Sequence, residues 1–252
     1  MKKISFLQTS LAFAVIASLV FSCQKTADRP AALNGSQGDA SVLAINDSAT
    51  LTYADSGLCA MIHGLPSANG NNYNGFQSFQ ATVWTYLGIP APRRSLMKFG
   101  FGNLPPACNT NTLVSAKLYL YQGDELGNVG SYYSLAQVAN DAEIRRVKVA
   151  WNPSTVTWAN FGANNKTYAG LPTAAKNCVA ISPIATPFTG NLDNQVVDVT
   201  DMVKEMLRPG QNFGFQIRFP NGRETQNYKG RTYGSFTNSN IALRPVLKLY
   251  WQ

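Results

Sequence analysis

Short runs in which apolar and polar residues alternate, separated by turn-forming residues, recur from about Leu51 to the last residue, Gln252. The clearest are residues 115–121, 213–219 and 246–251. A side-chain period of two is typical of β-strands that bury one face, and clusters of Gly, Pro and Asn are typical of the turns between them. About 200 residues with this pattern favour a single all-β sandwich or barrel over two domains.

The alternation also predicts which side chains form the core. In residues 94–99, the face that carries Met97 and Phe99 is expected to point inward. Trp151 and Trp158 flank a turn-like Asn-Pro-Ser and are expected to plug one end of the sandwich. The same rule predicts burial of Leu118, Leu120, Phe213, Phe215, Ile217, Leu247 and Leu249.

One stretch, residues 200–207, has the spacing of a helix instead. Val203, Met206 and Leu207 fall on one helical face, and Thr200 is expected to cap the N-terminus. Pro and Gly follow at positions 209 and 210, where they stop a helix. The prediction is one short helix that crosses between strands.

Residues 1–22 have the composition of an export signal. Two lysines near the N-terminus are followed by an apolar run from Leu11 to Phe21, and a small residue, Ser22, precedes Cys23. The run is too short to span a bilayer, so this segment is expected to be removed. The residues before Cys23 resemble the bacterial lipobox, whose cysteine is acylated. Cys23 is therefore the predicted lipidation site and the only predicted membrane contact.

Residues 24–50 contain no aromatic residue and are rich in Ala, Gly, Ser, Asn and Asp, which is typical of a flexible tether. The predicted organisation is a signal peptide over 1–22, a lipidated cysteine and tether over 23–50, and a β-sandwich domain over 51–252. The predicted location is that of an exported, membrane-anchored lipoprotein of the outer membrane or cell surface.

Several segments, taken in order, resemble the DNRLRE-domain family of bacterial secreted proteins. They are residues 60–62, 72–75, 81–86, 94–99, 104–105, 114–121, 151–158, 197–200, 212–215, 235–236 and 244–247. The resemblance implies a jelly-roll-like β-sandwich related to carbohydrate-binding modules, some of which bind alginate. One position departs from the family, because Cys59 stands where relatives often have Asp, so a structural cation there is in doubt.

The net charge and the numbers of histidine and cysteine residues limit which partners and cofactors the chain is expected to bind. The chain carries a formal net charge of +8, and the balance remains positive without Lys2 and Lys3, so an electrostatic partner would be acidic. The Lys/Arg-rich runs of nucleic-acid-binding tails are missing, so no nucleic-acid partner is expected. His63 is the only histidine and no Cys-x-x-Cys occurs, so neither a metal site nor another cofactor is expected. Cys59, Cys108 and Cys178 allow at most one bridge, whose pairing stays open.

Catalysis finds little support in the sequence. His63 sits in a Gly- and Pro-containing stretch without a recognisable nucleophile motif, and the 13 acidic residues are scattered. No catalytic residue is predicted, and the chain is not expected to be an enzyme.

Binding is better supported, because basic and aromatic side chains occupy expected outward positions. If their strands are neighbours, the basic residues form one stripe that suits carboxylate or sulfate groups of an acidic polysaccharide. In most sandwiches such charges only aid solubility, and tyrosines often pack on a neighbouring loop. The predicted ligand-binding residues are Arg94, Lys98, Arg146, Lys148, Arg218, Lys248, Tyr119 and Tyr121, with Trp84, Tyr86, Tyr233 and Tyr250 as further aromatic candidates.

The preferred hypothesis is therefore a non-catalytic surface lipoprotein that binds an anionic, uronate-type polysaccharide through a basic outer sheet face. The alternative is a structural or adhesion module of the cell envelope whose partner is a protein or envelope material. The oligomeric state is not predicted.

Overall fold

A computed structural model of the chain describes residues 47–122, 141–183, 194–225 and 229–252. The signal segment 1–22, Cys23 and the tether up to residue 46 lie outside these ranges. In the described ranges no helix is both long enough and apolar enough to cross a membrane. Residues 42–252 form one compact unit by their internal contacts.

The described residues form eleven strands, two short α-helices and two 3-10 helices, Asn164–Lys166 and Ile241–Leu243. The strands are β1 (Asp47–Leu51), β2 (Leu58–His63), β3 (Ser78–Tyr86), β4 (Ile89–Lys98), β5 (Leu113–Leu120), β6 (Ala142–Arg146), β7 (Cys178–Ile181), β8 (Gln195–Asp198), β9 (Phe215–Arg218), β10 (Lys229–Gly234) and β11 (Val246–Trp251). The α-helices are α1 (Trp158–Phe161) and α2 (Thr200–Met206).

The strands build two antiparallel sheets. The first sheet has the order β1-β11-β5-β8, and the second has the order β10-β3-β4-β9-β6-β7, with β2 also paired to β4. Together they form an all-β sandwich, which confirms the fold class predicted from the alternating pattern.

The main core contains the side chains that the alternation predicted to be inward. Met97 and Phe99 are buried in it, together with Leu118, Leu120, Phe215, Ile217, Leu247 and Leu249. Phe213 is only partly buried and belongs to a second cluster. Period-two patterning therefore predicted the inner faces of β4, β5, β9 and β11, with Phe213 as the exception.

The second apolar cluster covers the outer face of the second sheet. Leu96 alternates with Met97 on β4, so it points away from the main core, yet it is fully buried. Residues 147–161 supply the cover, and both tryptophans pack in this cluster. The expectation that Trp151 and Trp158 plug one end of the sandwich is therefore wrong, because they pack over a sheet face instead.

Helix α2 crosses from β8 of the first sheet to β9 of the second, as the sequence predicted. Its N-cap is Val199 rather than Thr200, and no side chain caps it from that position. The Thr200 hydroxyl instead accepts from the Ala116 N–H at 2.9 Å and donates to Asp198 at 2.6 Å. It therefore fixes the helix to β5.

Strand β1 begins four residues before the predicted domain boundary. Asp47 lies opposite Trp251 and Leu51 lies opposite Leu247, so residues expected in the tether are paired with the C-terminal strand β11. Leu51 is buried in the main core. The sequence did not predict β1, because its five residues are too few and too polar to show a clear alternation.

Candidate functional site

The eight predicted ligand-binding residues do not lie on one face. Arg94, Arg146 and Arg218 belong to the second sheet, on β4, β6 and β9, and are only 4%, 3% and 0% exposed. Lys248 and Tyr119 belong to the first sheet, on β11 and β5. The single basic stripe expected from the sequence is therefore not formed.

Arg94 is held by groups from distant parts of the chain. Its Nε and Nη2 donate to the two carboxylate oxygens of Glu224 at 2.7 and 2.6 Å, and its Nη1 donates to the Gly162 carbonyl at 2.6 Å. The guanidinium carbon lies 4.3 Å from the centre of the Trp158 ring. All three nitrogens and one face of the group are thus used internally.

Arg218 lies in the same buried cluster. It donates to Glu224 at 2.6 Å, to Asn221 at 3.0 Å and to Asn164 at 2.9 Å. Burial, and then the nearby positive charge of Arg94, lower the pKa of Arg218 to about 9. A charge that makes this many internal contacts, at zero exposure, is not available to a ligand in solution.

A second pair of opposite charges, Arg145 and Glu143, completes the cluster on the neighbouring strand β6. Arg145 Nε donates to Glu143 at 2.5 Å and Nη2 donates to Asn221 at 3.1 Å. We call Arg94, Arg145, Arg218, Glu143 and Glu224 the buried charge cluster. It joins the sheet to the segments that cover it.

The interpretation of Arg94, Arg146 and Arg218 as exposed ligand contacts is therefore wrong. Alternation correctly placed Arg94 and Arg218 away from the main core, but it cannot reveal that another segment covers that outer face. A signal was present in residues 147–161, whose valines, tryptophans and phenylalanine need a surface to pack against.

The remaining basic candidates are dispersed. Arg146 stacks on Tyr168 with its guanidinium carbon 3.9 Å from the ring centre, and it donates to the Lys176 carbonyl. Lys148 is exposed, with its ammonium 5.2 Å from the centre of the same ring. Lys98 lines a separate concavity of about 460 Å³ beside the end of α2.

The outer face of the first sheet carries the other predicted residues. On it, Val246 lies opposite Tyr119, Lys248 lies opposite Lys117, and Tyr250 lies opposite Ser115. We call Tyr119, Lys117, Lys248 and Tyr250 the tyrosine–lysine face. All four are half-buried strand residues whose neighbours along the chain are buried, so their side chains point to solvent.

The two tyrosines are well separated on this face. Because Tyr250 lies opposite Ser115, four residues from Tyr119 along β5, they stand about 14 Å apart along the strand direction. Lys248 lies between them, with its ammonium 4.9 Å from the centre of the Tyr119 ring. Tyr121 directly follows β5 and is half-buried, so it extends the same side of the strand.

The two lysines differ in their electrostatic surroundings. Lys117 forms an ion pair of 2.6 Å with Asp198, whereas Lys248 takes part in none of the ion pairs of the described residues. Burial raises the pKa of Asp198, but hydrogen bonds from Lys117 and Thr200 outweigh it and lower that pKa below its usual value. Lys248 is thus the cation of this face that lacks a carboxylate partner.

Sequence reasoning missed Lys117, although it alternates with the buried Leu118 in the same way that Tyr119 does. Among the further aromatic candidates, Tyr250 is on the tyrosine–lysine face, whereas Tyr233 is fully buried in the main core. Tyr86 is exposed but lies at the turn between β3 and β4 in the other sheet. Trp84 is half-buried on β3.

The three cysteines whose pairing the sequence left open, and the single histidine, occupy buried positions. Cys59, Cys108 and Cys178 are free, buried thiols, so no bridge joins them. His63 is the last residue of β2, and burial together with Arg93 lowers its pKa to about 4. The described residues contain no group of three His, Cys, Asp or Glu side chains that could hold a metal ion.

In comparisons with known proteins, no family model matches the chain and no curated protein is significantly similar to it.

Proposed function

We propose that the chain is an exported lipoprotein, anchored through Cys23, that binds an acidic polysaccharide without changing it covalently. The tyrosine–lysine face is its binding surface. The single observation that carries this proposal is the outer face of the first sheet, on which two separated, half-buried tyrosines stand on either side of a lysine that has no carboxylate partner among the described residues.

The chemistry of this face suits a sugar chain with carboxylate groups. Tyrosine rings offer an apolar surface on which the C–H face of a sugar ring can pack, and their hydroxyls can hydrogen-bond to sugar hydroxyls. The Lys248 ammonium lies over the Tyr119 ring and supplies a positive charge beside it. An extended polymer can contact residues of both β5 and β11, because these strands are neighbours.

The binding surface differs from the one expected from the sequence. It uses Tyr119 and Lys248 from the predicted ligand-binding residues, with Tyr121 beside them, and it adds Lys117 and the further candidate Tyr250. The buried arginines are left out. Lys98 and Lys148 lie away from this face, so they serve as controls rather than as contacts.

The test is a titration of residues 42–252, which form one compact unit, against alginate, pectate, a sulfated glycan and a neutral glycan. We expect carboxylated polymers to bind, and we expect added salt to weaken their binding because the charged part is screened. Tyr119→Ala and Lys248→Ala should each weaken binding at least about fivefold, which corresponds to roughly 1 kcal/mol for one contact.

Lys148→Ala is the matched control, since it removes the same charge from an exposed site that lies two residues beyond β6 of the second sheet. It should bind like the unaltered protein. Binding to none of the glycans, or equal losses in Lys148→Ala and Lys248→Ala, contradicts the proposal. The first result favours the structural or adhesion role instead.

The anchor has its own test. Metabolic labelling with a fatty-acid analogue should label the chain, and Cys23→Ala should abolish the label. Equal labelling of both proteins would remove Cys23 from the proposal.

A further inference from the structure

The turn between β3 and β4 exposes three large apolar side chains at one point. Tyr86, Leu87 and Ile89 are 57%, 87% and 48% exposed. Tyr86 lies opposite Ile89, so the strands are joined by a two-residue loop, Leu87 and Gly88. We call Tyr86, Leu87 and Ile89 the hairpin tip.

Leucine is a poor residue for this loop. Both loop residues have positive φ, +50° at Leu87 and +79° at Gly88. A loop of this kind prefers Asn, Asp or Gly at its first position, because a larger side chain is strained there. Leu87 gains no burial in return, since it is the most exposed large apolar residue of the described chain. Neither the local geometry nor packing among the described residues therefore accounts for a leucine at this position.

The surroundings of the hairpin tip resemble those of a segment that enters a bilayer. Trp84 and Tyr86 precede the loop, and Trp and Tyr are the residues enriched at the depth of lipid headgroups. Leu87 and Ile89, the purely aliphatic residues, lie at and beside the end of the hairpin. Residues 82–92 contain no acidic side chain that would oppose entry.

A protein partner fits this shape less well. A stable protein interface needs roughly 800 Å² from each side, and three partly exposed side chains on a narrow turn fall well short of that. A bilayer needs no matching pocket, and the affinity of a protein for it grows with each apolar group that is inserted.

We propose that the hairpin tip inserts into the interfacial region of a lipid bilayer and forms a membrane contact separate from the acylated Cys23. This contact concerns the second sheet and does not depend on the polysaccharide proposal.

The test uses residues 42–252, which lack both the signal segment and Cys23. Co-sedimentation with phosphatidylcholine vesicles, with and without an anionic phospholipid, measures the partition coefficient. We expect binding to both vesicle types and a shift of tryptophan emission to shorter wavelength. Leu87→Asn should lower the partition coefficient at least about tenfold, because the aliphatic insertion is lost.

Leu87→Asn is informative because it should not harm the fold. Asn-Gly is a preferred pair for this loop, so the thermal unfolding midpoint should stay equal or rise. Ile241→Asn is the matched control, since Ile241 is 73% exposed on a different element. It should sediment with vesicles like the unaltered protein.

Any one of four outcomes overturns the proposal. The first three are no sedimentation with either vesicle, unchanged sedimentation of Leu87→Asn, and binding to anionic vesicles alone that added salt abolishes. Self-association in the absence of lipid that Leu87→Asn removes would assign the hairpin tip to a second copy of the chain, and it would overturn the proposal too.

Discussion

Arg94 and Glu224, 130 residues apart in the sequence, form a two-pronged ion pair with donor–acceptor distances of 2.7 and 2.6 Å. Because Arg218 donates to the same carboxylate, Glu224 balances two guanidinium groups beneath a covering segment. The buried charge cluster therefore holds three arginines with only two carboxylates, so its net charge is already positive. Removal of either carboxylate increases that buried positive charge.

Glu224→Gln should consequently be strongly destabilising. The amide keeps the shape of the side chain but removes its charge, and breaking a buried pair costs about 3–5 kcal/mol. Chemical denaturation of both proteins measures the difference. Arg208→Ala is the comparison, because Arg208 pairs with Glu205 in an exposed position and should change stability by less than about 1 kcal/mol. Similar, small effects of both substitutions would show that the cluster contributes little.

Gly170 is expected to be intolerant of a side chain for a related reason. A Cβ atom there would collide with Arg145 Nη2 and approach Glu143, both of which are pinned in the buried charge cluster. Gly170→Ala should therefore lower the free energy of unfolding by about 1–3 kcal/mol. Gly75→Ala, where no atom lies within 4 Å of the added group, should leave stability nearly unchanged. Equal midpoints in a thermal unfolding experiment would contradict this expectation.

The free energy of unfolding should fall as the pH is lowered, because of His63. Its pKa is about 4 in the folded protein and 6.5 when unperturbed, so between these values the unfolded chain binds a proton that the folded chain does not. The contribution is complete above the higher value and is lost as pH falls towards the lower one. Between pH 7 and pH 5 the loss should reach up to about 2 kcal/mol.

His63 is the only histidine, so His63→Phe isolates this effect. Denaturation midpoints of the variant should change much less between the same two pH values. A slope that persists unchanged in His63→Phe assigns the pH dependence to other groups.

The three thiols should be unreactive until the protein unfolds. Burial raises the pKa of Cys59, of Cys108 to about 11 and of Cys178 to about 12, and the Glu143 carboxylate adds to the effect on Cys178. Little thiolate exists near neutral pH, and access is blocked. Ellman titration of residues 42–252 should detect no fast-reacting thiol in buffer and three in denaturant without reductant. Detection of one thiol in denaturant would reveal a bridge.

Local pattern was enough to predict the sandwich, because burial on one face imposes a period of two along each strand. It also predicted α2, although not its capping, since Thr200 bonds to β5 instead. The position of Arg94 away from the main core followed from the same rule. Its burial did not, because that depends on a segment more than 50 residues further along the chain and on a carboxylate 130 residues away.

Only part of the candidate site was predictable from the sequence, because alternation gives the direction of a side chain but not its neighbours on other strands. Tyr119 and Lys248 alternate with buried leucines, so their outward direction is a local property. Which outward residues stand together depends on strand order, and the order β1-β11-β5-β8 joins the last strand to the fifth. No pattern within one strand contains that information.

Strand β1 also has a mechanical consequence. It is the first strand of the described residues, and it occupies the edge of the sheet that carries the tyrosine–lysine face. A pull applied through the residues before Asp47 would therefore reach the domain first at the five paired residues of β1 and β11. A force along the strand would load these hydrogen bonds together in shear, and a force across it would peel them one by one. The pairing of β1 with β11 thus sets the tension at which this edge of the sheet begins to open.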